Sequence, residues 1–269
     1  MTLLRAWLAG IPAYLWSGWG AIASLFLFFA AWEGASTVYG ALILPDPGTV
    51  FATLARLIDS GAAWPELAVT ARRALTGLAL AITAGSVLGM LAGVSMTASM
   101  MARPLVTVLL GTPPIAWLVL AMLWFGASDG TPVFTVFIAC FPVIFVGALQ
   151  GTRTLDGHLR EMASVFRLPA RMKLTDLYLP HVVSYLFPAW ITALGTSWKV
   201  VVMAELLSSA DGVGAALAVS RSHLDTASTL AWISAVVSAL LAVEYLLLEP
   251  IKRELEGWRK MEASEGSAT

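Results

Sequence analysis

The stretch RTLDGHLREMASVFRLPARMKLTDLYLPH, residues 153–181, is a charged island between two long apolar segments, and it divides a chain otherwise built for lipid. At its centre Leu159, Met162, Ala163 and Phe166 fall at i, i+3, i+4 and i+7, so a helix there carries one apolar stripe. Arg160 and Glu161 lie off that stripe. The pattern predicts a short amphipathic helix at the membrane surface. It reads equally as a plug for a groove on another protein and as a helix lying flat among headgroups.

Working outward, the chain is 58% hydrophobic and only 12% charged, where a soluble domain carries roughly 25% charged residues. The net charge of -1 says little, because location matters more than the sum. Cys140 is the single cysteine and sits in an apolar run, which excludes a disulfide framework or a cysteine-rich metal site. His158, His181 and His223 are scattered, with none at metal-ligand spacing from another. The chain has no Gly-x-x-x-x-Gly-Lys-Ser/Thr phosphate loop and no basic, aromatic-interleaved patch for nucleic acid. No catalytic cluster is expected.

A bilayer core of about 30 Å needs roughly 20 apolar residues in a helix. Six segments qualify: 18–39, 74–98, 104–125, 132–151, 182–206 and 229–248. The apolar run after Arg5 continues too far for a cleaved signal, so the first is read as an uncleaved span. Six spans put both termini on one side. If that side is the cytoplasm, Arg5, Arg103, Arg153, Arg160, Arg167, Arg171, Lys173, Lys252, Arg253, Arg259 and Lys260 lie inside. Only Arg56, Arg72, Arg73 and Arg221 lie outside, with Lys199 inside the fifth span. The bias predicts cytoplasmic termini and a cytoplasmic loop over 152–181.

Four features mark the spans. Gly77, Ala81, Gly85, Gly89 and Gly93 form a small-residue stripe, either a sliding seam or a tight packing contact. Pro113 and Pro114 break the third span in Gly111-Thr-Pro-Pro-Ile-Ala-Trp117, which either opens a substrate path or merely shapes the bundle. Leu44-Pro-Asp-Pro-Gly-Thr49 should cap an outer amphipathic segment. Lys199 is expensive in lipid, about 2.5–3.5 kcal/mol at mid-span, so it faces either a path for an anion or a carboxylate on another helix. Glu205 lies about 9 Å further along that helix, nearer the outer surface.

The island resembles the EAA loop of permease subunits in bacterial ATP-binding-cassette importers, through Glu161-Met162-Ala163 and Leu179-Pro180 at the matching spacing. The likeness covers residues 30–260 and is nearest the nitrate/sulfonate/taurine class. It rests on Trp32-Glu33, Leu44-Pro-Asp-Pro, Pro113-Pro-Ile-Ala-Trp-Leu118, Leu123-Trp-Phe-Gly126, Ala204-Glu205-Leu206, Gly212-Val-Gly214 and Trp258-Arg259. One departure is Arg167 where the family's loop carries glycine; Pro169 is expected to supply the break between two loop helices instead.

The resemblance implies an all-α, polytopic permease of the type I importer fold, in the bacterial inner membrane. It implies a second permease subunit (two copies of this chain being the simpler arrangement), an ATPase dimer that binds ATP and magnesium, and an extracytoplasmic substrate-binding protein. No cofactor is expected in this chain. Leu159, Glu161, Met162, Ala163, Phe166, Arg167, Leu179 and Pro180 would then couple to the ATPase, with Glu161 fixing the register or completing a helix cap. Thr112, Pro113, Pro114, Trp117, Trp198, Lys199 and Glu205 would line the path. Gly212, Gly214, Arg221 and Asp225 would meet the binding protein. The substrate would be a small anion such as a sulfonate, nitrate or bicarbonate; a vitamin precursor or other small neutral solute is the alternative. An ion-driven secondary transporter fits less well, since the two halves show no internal repeat, and a membrane enzyme would need clustered reactive side chains within the spans.

Overall fold

A computed structural model describes residues 2–244, and every regular element among them is a helix. In chain order these are α1 (Thr2–Tyr39), α2 (Pro47–Asp59), α3 (Ala63–Val94), α4 (Met96–Gly111), α5 (Pro114–Phe125) and α6 (Gly130–Arg153). Then come α7 (Gly157–Val165), α8 (Ala170–Met172), α9 (Leu179–Ser208), α10 (Val213–Ser222) and α11 (Thr226–Val243). Residues 245–248 of the sixth expected span, and Trp258-Arg259, lie outside the described residues. Among the described residues five helices are long and apolar enough to cross a membrane, and a sixth span results if the bent pair α4–α5 counts as one.

α6 is the axis of the bundle, packed between α3 and α9. Lipid tails are as apolar as leucine, so contact between these helices comes from close fit rather than from escape from water. The α3 stripe supplies that fit. A Cβ added at Gly77 would lie 2.7 Å from the Val133 carbonyl oxygen, and one at Gly89 would lie 2.5 Å from that of Phe145. Backbone atoms cannot give way as a side chain can, so glycine is required where α3 and α6 touch. The core around this seam contains Leu78, Val136, Ile144, Leu186 and Trp198, all buried.

Span boundaries follow local chemistry. α3 begins at Ala63, earlier than the apolar run suggests, because Arg72 and Arg73 find partners in the fold. It ends at Val94 rather than 98: Ser95 is extended and its side chain caps α4 at the Ala98 amide. α4 and α5 meet at 93°. Thr112 and Pro113 are both extended there, and the Thr112 hydroxyl donates to the Val108 carbonyl at 2.7 Å. At the start of α2, Asp46 accepts from the Thr49 amide at 2.8 Å and its hydroxyl at 2.6 Å, which holds the Asp46 carboxyl below its ordinary value. The Trp32 indole donates to the Pro45 carbonyl at 2.9 Å, fastening that turn to α1.

The island folds as two limbs joined by a tight turn. α7 is capped by Asp156, which accepts from the His158 amide at 2.9 Å. The cap is therefore Asp156 and not Glu161. At the far end the Leu168 amide donates to the Ala163 carbonyl and the Arg167 amide to that of Ser164. That pair of bonds is a Schellman turn, and it places Arg167 at φ 49. Arg167 itself thus adopts the left-handed conformation for which glycine is favoured. Pro169 comes after the turn is complete, and the expectation that it supplies the break is corrected.

The second limb runs without interruption into the membrane. α8 passes through a single π-helical stretch, Lys173–Tyr178, directly into α9. Pro180 has no N–H and its ring would collide with the Asp176 carbonyl in a regular helix. Widening the ladder relieves this, and the Leu179 amide reaches back to Leu174.

Candidate functional site

Three features of the bundle stand out: two faces whose apolar or polar groups its own packing leaves open, and one enclosed polar tie. The first is α7. Leu159, Met162 and Phe166 of the expected stripe are 41%, 48% and 72% exposed. Val165, which the sequence reading left out, is 78% exposed and extends the same apolar patch. Ala163 is turned into this chain and is buried. Glu161 and Arg167 are exposed at the margins, and Leu179 and Pro180 are exposed where α9 begins.

The second feature is one face of α9. Tyr185, Pro188, Thr192 and Lys199 are exposed and recur at helical spacing, with Thr196 half-buried among them. Lys199 makes no ion pair or hydrogen bond among the described residues, so no carboxylate of the described chain neutralises it. Trp198 points the other way, into the core, where its indole N–H has no acceptor; the enclosed indole N–H of Trp117 on α5 is likewise unmatched. Thr112 and Pro114 are half-buried at the α4–α5 bend, and Pro113 is exposed there.

The third is a buried tie at the opposite end of the bundle from α7. Glu205 on α9 is fully enclosed. Its carboxylate accepts from Thr70 Oγ1 at 2.8 Å, Arg73 Nη1 at 3.0 Å and the Gly214 amide at 3.1 Å. Arg73 also pairs with Asp129, ahead of α6, and with Asp211 at 2.5 Å, ahead of α10. The Gly212 amide donates to Glu66 and the Val213 amide to Thr70. Carboxylates therefore occupy the positive N-terminal end of α10. Gly212 has φ 91, and a Cβ at Gly214 would lie 2.5 Å from that of Glu205.

These contacts decide where several sequence-assigned residues sit. Glu205, expected along the path, and Gly212 and Gly214, expected on an outer contact surface, meet in one enclosed cluster. Arg221 and Asp225 are exposed. Asp225 also caps α11, accepting from the Ser228 amide at 2.9 Å and hydroxyl at 2.6 Å, and those bonds hold its carboxyl below the ordinary value. Arg73 was not singled out in the sequence. The available signal was an arginine pair, Arg72-Arg73, abutting a long charge-free run, which reads first as a solvated helix flank. Among the described residues no group of His, Cys, Asp or Glu could hold a metal ion.

The bundle thus presents an exposed apolar helix in its polar loop and, on the open face of α9, a lysine without a partner among the described residues. The chain belongs to the family of binding-protein-dependent transport system inner membrane components, whose model matches residues 81–250. It is 30% identical over 237 residues to the putative aliphatic sulfonates transport permease protein SsuC of Bacillus subtilis (strain 168), covering 87% of this chain and 85% of that protein. Identity is 31% over 156 residues to the nitrate import permease protein NrtB of Leptolyngbya laminosa, covering 58% and 56%. The taurine transport system permease protein TauC of Escherichia coli (strain K12) is 25% identical over 244 residues, with 88% of each chain covered. These relatives make it a multi-pass membrane permease of the nitrate/sulfonate/taurine class of ATP-binding-cassette importers.

Proposed function

We propose that the chain forms the translocation path of an ATP-driven importer and takes its driving force from a separate ATPase docked on α7. The observation that carries this reading is the apolar face of α7. Leu159, Met162, Val165 and Phe166 are exposed in a polar loop, while Asp156 and the Schellman turn fix both ends of the helix. A rigid apolar plug in water has the form of a helix that enters a partner's groove. The positive-inside bias puts it on the cytoplasmic side, where ATP and its magnesium would be held by the partner.

Force would leave the plug through the second limb. α8, the π-helical stretch and α9 are continuous, so displacement of the loop tilts the helix that carries Lys199. The bundle would then alternate between inward- and outward-facing arrangements, the two states differing in how well each fits the ATPase pair. A second copy of the chain would complete the path, and an extracytoplasmic binding protein would load it through Arg221, Asp225 and their surroundings.

For substrate, a small oxyanion of the sulfonate type fits best. Lys199 presents a positive charge that no carboxylate of the described residues neutralises, on the open face of α9, and an anion in transit would find that charge there. The relatives named for sulfonates, nitrate and taurine agree with that chemistry.

Phe166→Asp tests the coupling. It places a charge on the apolar patch at the C-terminal end of α7, where Phe166 is 72% exposed, so the variant should insert normally yet fail to co-purify with its ATPase. Normal co-purification would refute the docking role.

A further inference from the structure

A cavity of about 350 Å³ opens between α4 and α6 at the end of the bundle that carries α7. Its polar wall is Arg103, Thr107, Gln150, Arg153 and Thr154, and Phe145 contributes to an apolar floor. None of the five is acidic; Arg103, Gln150 and Arg153 carry N–H donors, while the Thr107 and Thr154 hydroxyls donate to the Arg103 and Gln150 carbonyls of their own helices.

The two guanidinium groups set the cavity's charge. Arg153 is held by neutral atoms only: Nη1 donates to Ser99 Oγ at 2.8 Å and Nη2 to the Met96 sulfur at 3.1 Å. Ser99 is itself buried on α4, so Arg153 is fixed in place without being neutralised. The Arg103 guanidinium has no partner among the described residues. Neither arginine has a carboxylate within ion-pair distance there, whereas Arg72 and Arg73 at the other end both do. Two cations on one half-enclosed cavity repel each other and attract an anion, more strongly than in open water because the apolar floor lowers the local dielectric.

Donor geometry narrows the ligand class. Planar guanidinium forks beside the Gln150 amide match an oxygen-rich head with several acceptors, a sulfonate or a phosphate. The volume is at the small end of ligand cavities, room for such a head and a short substituent. The cavity also joins the open face of α9: Thr154 Oγ1 lies 3.2 Å from His181 Nε2, and from His181 that face rises through Tyr185, Pro188, Thr192 and Thr196 to Lys199. Eighteen residues of helix separate His181 from Lys199, about 27 Å.

We propose that this cavity is an oxyanion-binding site at the inner mouth of the bundle, with Arg103 and Arg153 gripping a sulfonate- or phosphate-type group. It deepens the transport reading, and rests on it only for the anion's source: an imported solute on its way out, or the headgroup of an acidic lipid in the inner leaflet.

The full chain, purified and placed in phosphatidylcholine nanodiscs, is tested with two probes. Binding of radiolabelled methanesulfonate is measured by equilibrium dialysis, and retention of added phosphatidylglycerol by native mass spectrometry. Arg103→Gln should weaken binding of the site's occupant by about tenfold, the order expected for one lost charge-assisted contact, and Arg103→Lys should restore most of it. Methanesulfonate binding that depends on Arg103 and resists phosphatidylglycerol identifies the solute; Arg103-dependent lipid retention identifies the headgroup. Either supports the site. If neither probe binds, or binding ignores both arginines, the site is overturned. Arg153→Gln can disturb the α4 junction by releasing Ser99, whereas Arg103→Gln removes no internal contact, so an unchanged ligand-free melting midpoint lets it carry the test. Phe166→Asp leaves the cavity untouched. A chain that binds the anion but ignores the ATPase sinks the coupling reading alone, and the reverse result sinks this site alone.

Discussion

Glu205 on α9 and Arg73 on α3 meet at 3.0 Å in a place where the carboxylate has no access to solvent, 132 residues apart in the chain. Their pairing draws in Asp129 and Asp211, so one guanidinium joins α3, the loop before α6, α9 and the loop before α10. Removing Arg73 strands Glu205 as a buried charge, at a cost of about 3–5 kcal/mol, whereas removing Glu205 leaves Arg73 its pairs with Asp129 and Asp211. Arg73→Met should therefore lower the melting midpoint of the purified permease sharply, and Glu205→Gln should lower it less. The Arg73→Met, Glu205→Met double variant should recover part of the loss, because no enclosed charge is left unpaired: Asp129 keeps Arg72, and Asp211 is more than half open to solvent. Single variants that melt like the parent would show that the tie contributes little.

Asp129 gives the same tie an acid sensitivity. The hydrogen bond from Arg73 is the largest cause holding its carboxyl below the ordinary 3.8, and the charge of Arg72 adds to it. A carboxyl whose folded pKa is depressed contributes stability that is present above 3.8 and lost as pH falls through the lower folded value. Asp129 is about half open to solvent, so the effect is modest. Asp129→Asn should remove that part of the acid loss and leave a flatter midpoint as pH falls below about 4, where an ordinary aspartate begins to protonate. An identical acid slope in parent and variant would assign the titration elsewhere.

Arg167 occupies a left-handed position, φ 49, at the C-terminus of α7. A non-glycine residue there costs about 1–2 kcal/mol, whereas glycine costs roughly 0.5–1 kcal/mol in the unfolded chain. Arg167→Gly should thus be neutral to mildly stabilising, by up to about 1 kcal/mol. Arg167→Ile should be clearly destabilising, because a β-branched side chain tolerates this region poorly. Hydrogen exchange at the Leu168 amide, which closes the turn, reads both effects. An isoleucine variant with unchanged protection would contradict the geometry.

The bundle was legible in the sequence to the extent that its causes are local. Apolar run length and the prolines at 113 and 114 mark most spans and the bend, and the i, i+3, i+7 stripe of Leu159, Met162 and Phe166 marks α7. Boundaries slipped where a tertiary partner overrides local polarity. Arg72 and Arg73 look like a solvated flank until Asp129 and Glu205 are brought to them. Ala204-Glu205-Leu206 and Gly212-Val-Gly214 stand apart in sequence, and nothing local says that Glu205 caps α10 or that Gly214 must lack a side chain to allow it. The same limit applied to Arg167: proline chemistry two residues on is readable from sequence, but a Schellman turn that forces arginine into a glycine conformation is a property of the closed hydrogen bonds.

Lys199 supplies the remaining prediction. It lies on an exposed face of a membrane helix with no carboxylate beside it among the described residues, so the structural-pair reading has no partner there. Two occupants for its charge can be tested: a partner from a second copy, or water and anion in a path. Lys199→Met removes an insertion penalty of about 2.5–3.5 kcal/mol at mid-span, so the variant should reach the membrane at least as well as the parent. If the lysine meets anion in transit, uptake by the reconstituted complex should fall by roughly tenfold, the loss of one charged contact. Assembly with the ATPase should persist, and Lys199→Arg should keep much of the rate. If instead the lysine pairs across two copies, Lys199→Met should weaken subunit association together with uptake, which size-exclusion chromatography with light scattering detects. Unchanged uptake with unchanged assembly would remove Lys199 from the path altogether and leave the oxyanion reading to the relatives alone.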